Sequence, residues 1–120
     1  VRAFENEDFD IALGTEALWL PAAIYGSKAF IPGLANAFPE ICVEMYEQSL
    51  RGDWEACKAT QFKINELRDV MYLAKSTQLA IYAMLEIRGI THCYPRKPFS
   101  AASELELENI RKKLISMDMI

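Results

Sequence analysis

FDIALGTEALWLPAAIYGSKAFIPGLAN, residues 9–36, sets two short apolar runs on either side of one short helical segment and closes on a turn that carries Pro32 and Gly33. The first run, residues 9–13, ends at Gly14, and the second, residues 29–31, ends at Pro32 and Gly33. Runs of that length, bounded by turn residues and separated by a helical stretch, predict a β-α-β unit. Residues 16–25 leave room for about three helical turns, and Gly26 stops them where a left-handed residue is usually needed. Pro21 then falls in the first turn of that helix, where a missing N–H is tolerated.

The same residues carry a family resemblance. Gly14-Thr15-Glu16, Gly26, Phe30-Ile31-Pro32-Gly33, Ala35-Asn36 and Pro39 follow, without a gap, the "G-x-D/E … G-A-x-G-x-I-x-G-x-x-N … P" pattern of the dihydrodipicolinate synthase / N-acetylneuraminate lyase family. Arg96-Lys97-Pro98-Phe99 is similar to the "R-x-P-hydrophobic" turn before that family's last helix. The resemblance covers nearly the whole chain and implies an α/β fold, the C-terminal portion of a (β/α)8 TIM barrel. A complete barrel takes about 250 residues, so 120 residues are less than half of one. The resemblance makes Val1, Ala3 and Phe4 the tail of barrel helix six, residues 9–13 strand seven, residues 16–25 helix seven and residues 29–31 strand eight. Alternation along strand eight puts Ala29, Ile31 and Gly33 on one face, suited to a crowded barrel interior, and Phe30 and Pro32 on the other, suited to cover by helices.

Downstream the pattern is helical. Pro39 fits the first position of a helix in which Cys42, Met45, Tyr46 and Ser49 fall on one face, and Gly52 ends it. This is helix eight by resemblance. Asp53 caps the next segment, where Cys57, Thr60, Ile64, Leu67, Met71 and Ala74 alternate steps of three and four. That stripe suits packing against neighbouring helices, or a dimer seam. Ser76 or Thr77 caps a further helix lined by Ala80, Ala83, Met84 and Ile87 and stopped by Gly89. Residues 90–102 form a turn-rich connector. Ser103 and Glu106 then make a capping box for a last helix with Leu107, Ile110, Leu114 and Met117 on its apolar face. The expected organisation is residues 1–52 as the end of the barrel and residues 53–120 as a three-helix C-terminal extension, mostly helical in total.

Composition narrows the partners. A net charge of −4, from 17 acidic and 13 basic residues, offers no basic surface for nucleic acid or an anionic membrane. No apolar run approaches the roughly 18 residues that span a bilayer, and residues 1–10 lack the layout of a signal peptide, so a cytoplasmic protein is expected. Three widely spaced cysteines, Cys42, Cys57 and Cys93, suit reduced thiols better than a disulfide framework. His92 beside Cys93 lacks the further ligands a zinc site requires, so no metal is expected. The chain begins with Val1 and not Met, so a sequence other than the primary translation product is expected, and trimming, processing or the choice of expressed segment all fit.

A class I aldolase needs a lysine whose amine is kept neutral, so that it can attack a keto acid and form a Schiff base. Lys28 precedes strand eight, whereas barrel active sites lie at the carboxyl ends of the strands. Lys58, Lys63, Lys75, Lys97, Lys112 and Lys113 sit among polar or turn residues. No catalytic residue is therefore assigned. The resemblance agrees, since that family carries its nucleophilic lysine on strand six and its proton-relaying tyrosine on strand five.

What the resemblance assigns here is one wall of a substrate pocket. Gly14 corresponds to a glycine that lets substrate approach the backbone, although a plain strand-to-helix turn also suits glycine. Glu16 corresponds to an acidic position that bonds substrate hydroxyls in the sugar-acid members, and a carboxylate there is equally a helix cap. Ile31 corresponds to the apolar residue beside the Schiff-base lysine. Gly33 stands where sialic acid lyases place a serine, and with Ala17 in place of their second acid it points away from that substrate. The complete enzyme implied would be a pyruvate-dependent lyase or aldolase acting on a 2-keto acid and an aldehyde, without cofactor, as a homotetramer. The alternative from the residues alone is a non-catalytic helical interaction module.

Overall fold

The computed structural model describes residue 3 and residues 6–120. The expected end of barrel helix six rests on Val1 and Phe4, which lie outside the described residues. The chain divides into two compact units, Val1–Asn65 and Glu66–Ile120, and the division falls within a helix.

In the first unit, β1 (Ala12–Leu13) and β2 (Ala29–Phe30) pair in parallel, Ala12 opposite Ala29 and Leu13 opposite Phe30. The Ile31 N–H donates to the Leu13 carbonyl at 2.8 Å, carrying the ladder one residue past β2. Both strands are shorter than the apolar runs predicted. The Phe9 N–H is taken by the Glu7 carbonyl in a turn at 2.8 Å, so the chain becomes extended late. A two-stranded ribbon also pairs only the residues that face each other. The Ser27 hydroxyl lies 3.2 Å from the Ile11 carbonyl and 3.3 Å from that of Ala29, holding the entry to β2 beside β1.

The helix expected over residues 16–25 begins as a 3-10 turn, Glu16–Leu18, and becomes α-helical only as α1 (Trp19–Ile24). Pro21 is the cause. Without an N–H it cannot bond the Ala17 carbonyl, and its ring crowds that carbonyl, so the i to i−4 ladder starts later. Gly26, at φ 91°, ends the helix in the left-handed region as predicted.

After a second 3-10 turn, Gly33–Asn36, Pro39 opens α2 (Pro39–Leu50), whose Ile41, Cys42, Met45, Gln48 and Ser49 are buried. Trp19 of α1 is the centre of this unit. It is 1% exposed, stacks on Phe30 at 4.5 Å and 20°, and lies 5.5 Å from the Tyr46 ring. Its indole N–H donates to Ser49 Oγ at 3.1 Å, while the Tyr46 hydroxyl donates to the Lys28 carbonyl at 3.0 Å. Burying such a ring contributes about 3 kcal/mol or less, and the bond to Ser49 keeps it from stranding an N–H. Thus α1 and α2 are both anchored to the Phe30 face of β2.

Gly52, at φ 71°, reverses the chain, and the Asp53 carboxylate accepts the Ala56 N–H at 3.2 Å to start α3 (Trp54–Val70). Cys57, Thr60, Ile64 and Leu67 are buried as the stripe predicts. The stripe does not run on to Ala74 as helix. Turn bonds from Met71 to Arg68 and from Leu73 to Val70 replace the α ladder, and Ala74 is only half-buried.

In the second unit, Ser76 rather than Thr77 caps α4 (Thr77–Ile87), accepting the Leu79 N–H at 3.3 Å. Gly89 follows the helix at φ 69°. The last helix, α5 (Glu104–Ser116), packs on α4 around buried Leu79, Ala80, Ala83, Met84, Ile110 and Leu114. Its capping box is complete: Ser103 Oγ accepts the Glu106 N–H at 3.2 Å, and Glu106 accepts the Ser103 N–H at 2.7 Å.

Candidate functional site

The carboxyl ends of β1 and β2 deliver residues 14–16 and residues 31–33 side by side, because parallel strands end on the same side of the sheet. Gly14 leaves β1. A Cβ placed there would meet no atom within 4 Å, and its φ is not positive. Neither packing nor backbone conformation within this chain therefore demands glycine at position 14. Thr15 is extended and its hydroxyl accepts the Ala17 N–H at 3.2 Å, capping the 3-10 turn and turning Glu16 inward.

Glu16 is 3% exposed. Its Oε2 accepts the Gly33 N–H at 3.2 Å, so the acid after β1 caps the 3-10 turn after β2. Glu16 and Gly33, 17 residues apart in sequence, are thereby joined. Ile31 stands at the end of the ladder and is 72% exposed. The four residues singled out from sequence thus sit at one end of the sheet, with Glu16 and Gly33 in direct contact.

Sequence reasoning missed Gln61. This α3 side chain is 5% exposed, and its amide reaches the turn after β1. Gln61 Nε2 donates to the Glu16 carbonyl at 2.8 Å and to Asn65 Oδ1 at 3.1 Å, while Oε1 accepts the Leu20 N–H at 3.0 Å. Because one partner is a backbone donor and another a backbone acceptor, the amide orientation is set by the network. Its signal in the sequence is slight: Gln61 stands four residues after Cys57 and three before Ile64, a polar residue on the apolar stripe of α3.

Among basic groups, every lysine is exposed. Lys28 lies 3.7 Å from Asp10, with both side chains more than four-fifths in solvent. None has the desolvation that holds an amine neutral. His92, in the second unit, lies with Nδ1 3.1 Å from Glu86 and with its ring edge-on to Tyr94. Among the described residues no group of three or more His, Cys, Asp or Glu is arranged to hold a metal ion, and no helix is long and apolar enough to cross a membrane.

Comparison with solved structures defines the class. The chain superposes on dihydrodipicolinate synthase from Bacteroides thetaiotaomicron with a TM-score of 0.85 and 26% identity, over 93% of this chain and 39% of that one. A variant 2-keto-3-deoxygluconate aldolase of Sulfolobus solfataricus shares the fold, with a TM-score of 0.83 at 21% identity, over 94% and 39% of the two chains. These are TIM-barrel aldolase-type proteins, and the described chain has the fold of a part of them, mostly helical with one small parallel sheet.

The chain belongs to the dihydrodipicolinate synthetase family, whose model matches residues 1–117. It is 32% identical over 118 residues to the 4-hydroxy-tetrahydrodipicolinate synthase of Methanospirillum hungatei, covering 98% of this chain and 40% of that protein. It is 27% identical over 114 residues to the enzyme of the same name from Archaeoglobus fulgidus, covering 95% and 39%. The chain therefore spans about two fifths of the length of the curated relatives it matches.

Proposed function

We propose that the complete protein is a pyruvate-dependent Schiff-base lyase or aldolase that joins or splits a 2-keto acid and an aldehyde. Residues 1–52 supply the end of its barrel, and residues 53–120 a C-terminal helical extension. The family match over residues 1–117 carries this reading.

In the reaction, a neutral lysine amine adds to the keto carbon of pyruvate, loses water and forms an imine. Proton loss from the neighbouring methyl group then creates the carbon nucleophile that bonds to the aldehyde carbon. With every lysine here exposed, the nucleophile comes from another part of the barrel, as does the tyrosine that relays protons. These residues furnish a wall. Gly14 leaves the backbone open to substrate, which accords with the empty space beside it. Glu16 and Gly33 form a braced floor of the substrate-binding wall at the strand ends, with the Glu16 carboxylate holding the Gly33 N–H. Ile31 lies beside the lysine, where its apolar side chain favours the neutral amine. The working enzyme is a cytoplasmic homotetramer of paired dimers, and no cofactor enters the chemistry.

The test is borohydride trapping of the complete protein with pyruvate, read as intact mass. The expected result is one irreversible adduct on a lysine outside these 120 residues, lost in Ile31→Asp because a nearby carboxylate stabilises the protonated amine. No adduct in the unsubstituted protein overturns the proposal, and an undiminished adduct in Ile31→Asp overturns the placement of Ile31.

A further inference from the structure

We infer that Gln61 is a positioning residue for the substrate-facing turn: one side-chain amide from α3 sets where residues 14–16 and Gly33 stand relative to the strand ends. The inference rests on the aldolase reading for its functional meaning and on the hydrogen bonds for its geometry.

A local weakness explains why such a residue is required. The N-terminus of α1 has no side-chain cap of its own, because Leu18 occupies the capping position and makes no such bond. Leu20 lies in the first turn of α1, where a backbone N–H has no acceptor within the helix. Gln61 Oε1 accepts it at 3.0 Å and so caps α1 from 41 residues away. The other half of the amide donates to the Glu16 carbonyl at 2.8 Å, which also accepts the Trp19 N–H in the 3-10 turn. Gln61 therefore grips the turn at two backbone atoms, on either side of the junction between 3-10 and α geometry. Glu16 passes the constraint on, since its carboxylate holds the Gly33 N–H at 3.2 Å. The Gln61 side chain is buried, so losing its amide leaves the Leu20 N–H without this acceptor and leaves the Glu16 carbonyl to the Trp19 N–H.

The consequence is specific. Moving this turn alters the pocket wall while leaving a nucleophile elsewhere in the barrel untouched. Two variants test it in the complete protein. Gln61→Met keeps the volume and abolishes both bonds to the turn, along with the one to Asn65. Gln61→Glu keeps an acceptor for Leu20 and removes the donor to Glu16 and Asn65. For Gln61→Met we expect the pyruvate adduct to form to within about twofold of the unsubstituted level, with the aldehyde KM rising about tenfold and kcat changing less. Amide hydrogen exchange should accelerate at both Leu20 and Gly33, with Ile64 and Leu67 in α3 unchanged. For Gln61→Glu, Gly33 should exchange fast and Leu20 remain slow.

Unchanged KM with intact adduct formation overturns the positioning role, as does accelerated exchange throughout α3, which marks a fold-wide effect. If Gln61→Met does not fold, the divergence of Leu20 from Gly33 in Gln61→Glu decides. If the unsubstituted protein forms no pyruvate adduct, the aldolase reading fails by itself. The exchange pattern still supports or overturns the grip of Gln61 on this turn.

Discussion

Two thiols show how burial at single residues sets chemistry. Cys42 and Cys57 are both within the first unit's core. Burial pushes the Cys42 thiol up to about 12, with the charges of Glu16 and Glu40 adding to it. Burial also raises Cys57, with Asp53 contributing. A raised thiol holds its proton to higher pH, so the reactive thiolate is scarce at both sites near neutrality. Cys93 is partly exposed. A disulfide reagent at pH 8 should therefore titrate one fast thiol in the folded chain and three after denaturation. Cys93→Ser should remove the fast one, and two or three fast thiols in the folded protein would show that the core around α2 opens readily.

At the scale of elements, helix ends decide more than helix middles. In α5 the Glu106 carboxyl is held below the usual carboxylate value, chiefly by the bond from the Ser103 backbone N–H and further by Lys75, whose N–H also reaches Glu106 at 3.1 Å. A lowered acid contributes stability that is fully present above its unfolded value, about 4.3, and is lost as pH falls through the lower folded value. Glu106→Gln should consequently unfold more easily than the unsubstituted chain at pH 7 and by a smaller margin at pH 3, measured by urea denaturation. A gap of the same size at both pH values would assign the effect to shape rather than charge. Ser103→Ala removes the reciprocal bond and should cost about 1 kcal/mol at either pH.

Over the whole molecule, the sheet is the least self-sufficient part. Two strands of two residues cannot stand alone, and the described residues place no third strand beside them. Beside β2 lies an open apolar groove of about 330 Å³, walled by Phe30, Pro32, Val43 and Tyr46 among others. Unpaired edges next to apolar surface favour association. The 120-residue chain in isolation should gain mass with concentration in sedimentation equilibrium, and Val43→Glu on the groove wall should reduce that gain. A concentration-independent monomer would show that the edges are tolerated in water.

Sequence by itself determined the order of elements and most of their ends, because caps and stops are local chemistry. Gly26, Gly52 and Gly89 take the left-handed conformation their positions require. Pro39 opens α2, and Ser103 with Glu106 closes a capping box over three residues. The placement of Gly14, Glu16, Ile31 and Gly33 at one end of a parallel sheet also follows from their spacing along one β-α-β unit. What only the tertiary structure decided lies between distant residues. Whether Glu16 faces water or Gly33 depends on the register of two strands, and whether Leu20 is capped depends on a helix 41 residues away. Gln61 was missed from sequence, because periodicity records which face is buried and not which backbone groups await a partner there. The late start of α1 combines both: the ring of Pro21 delays the helix, and an amide brought close only by folding completes it.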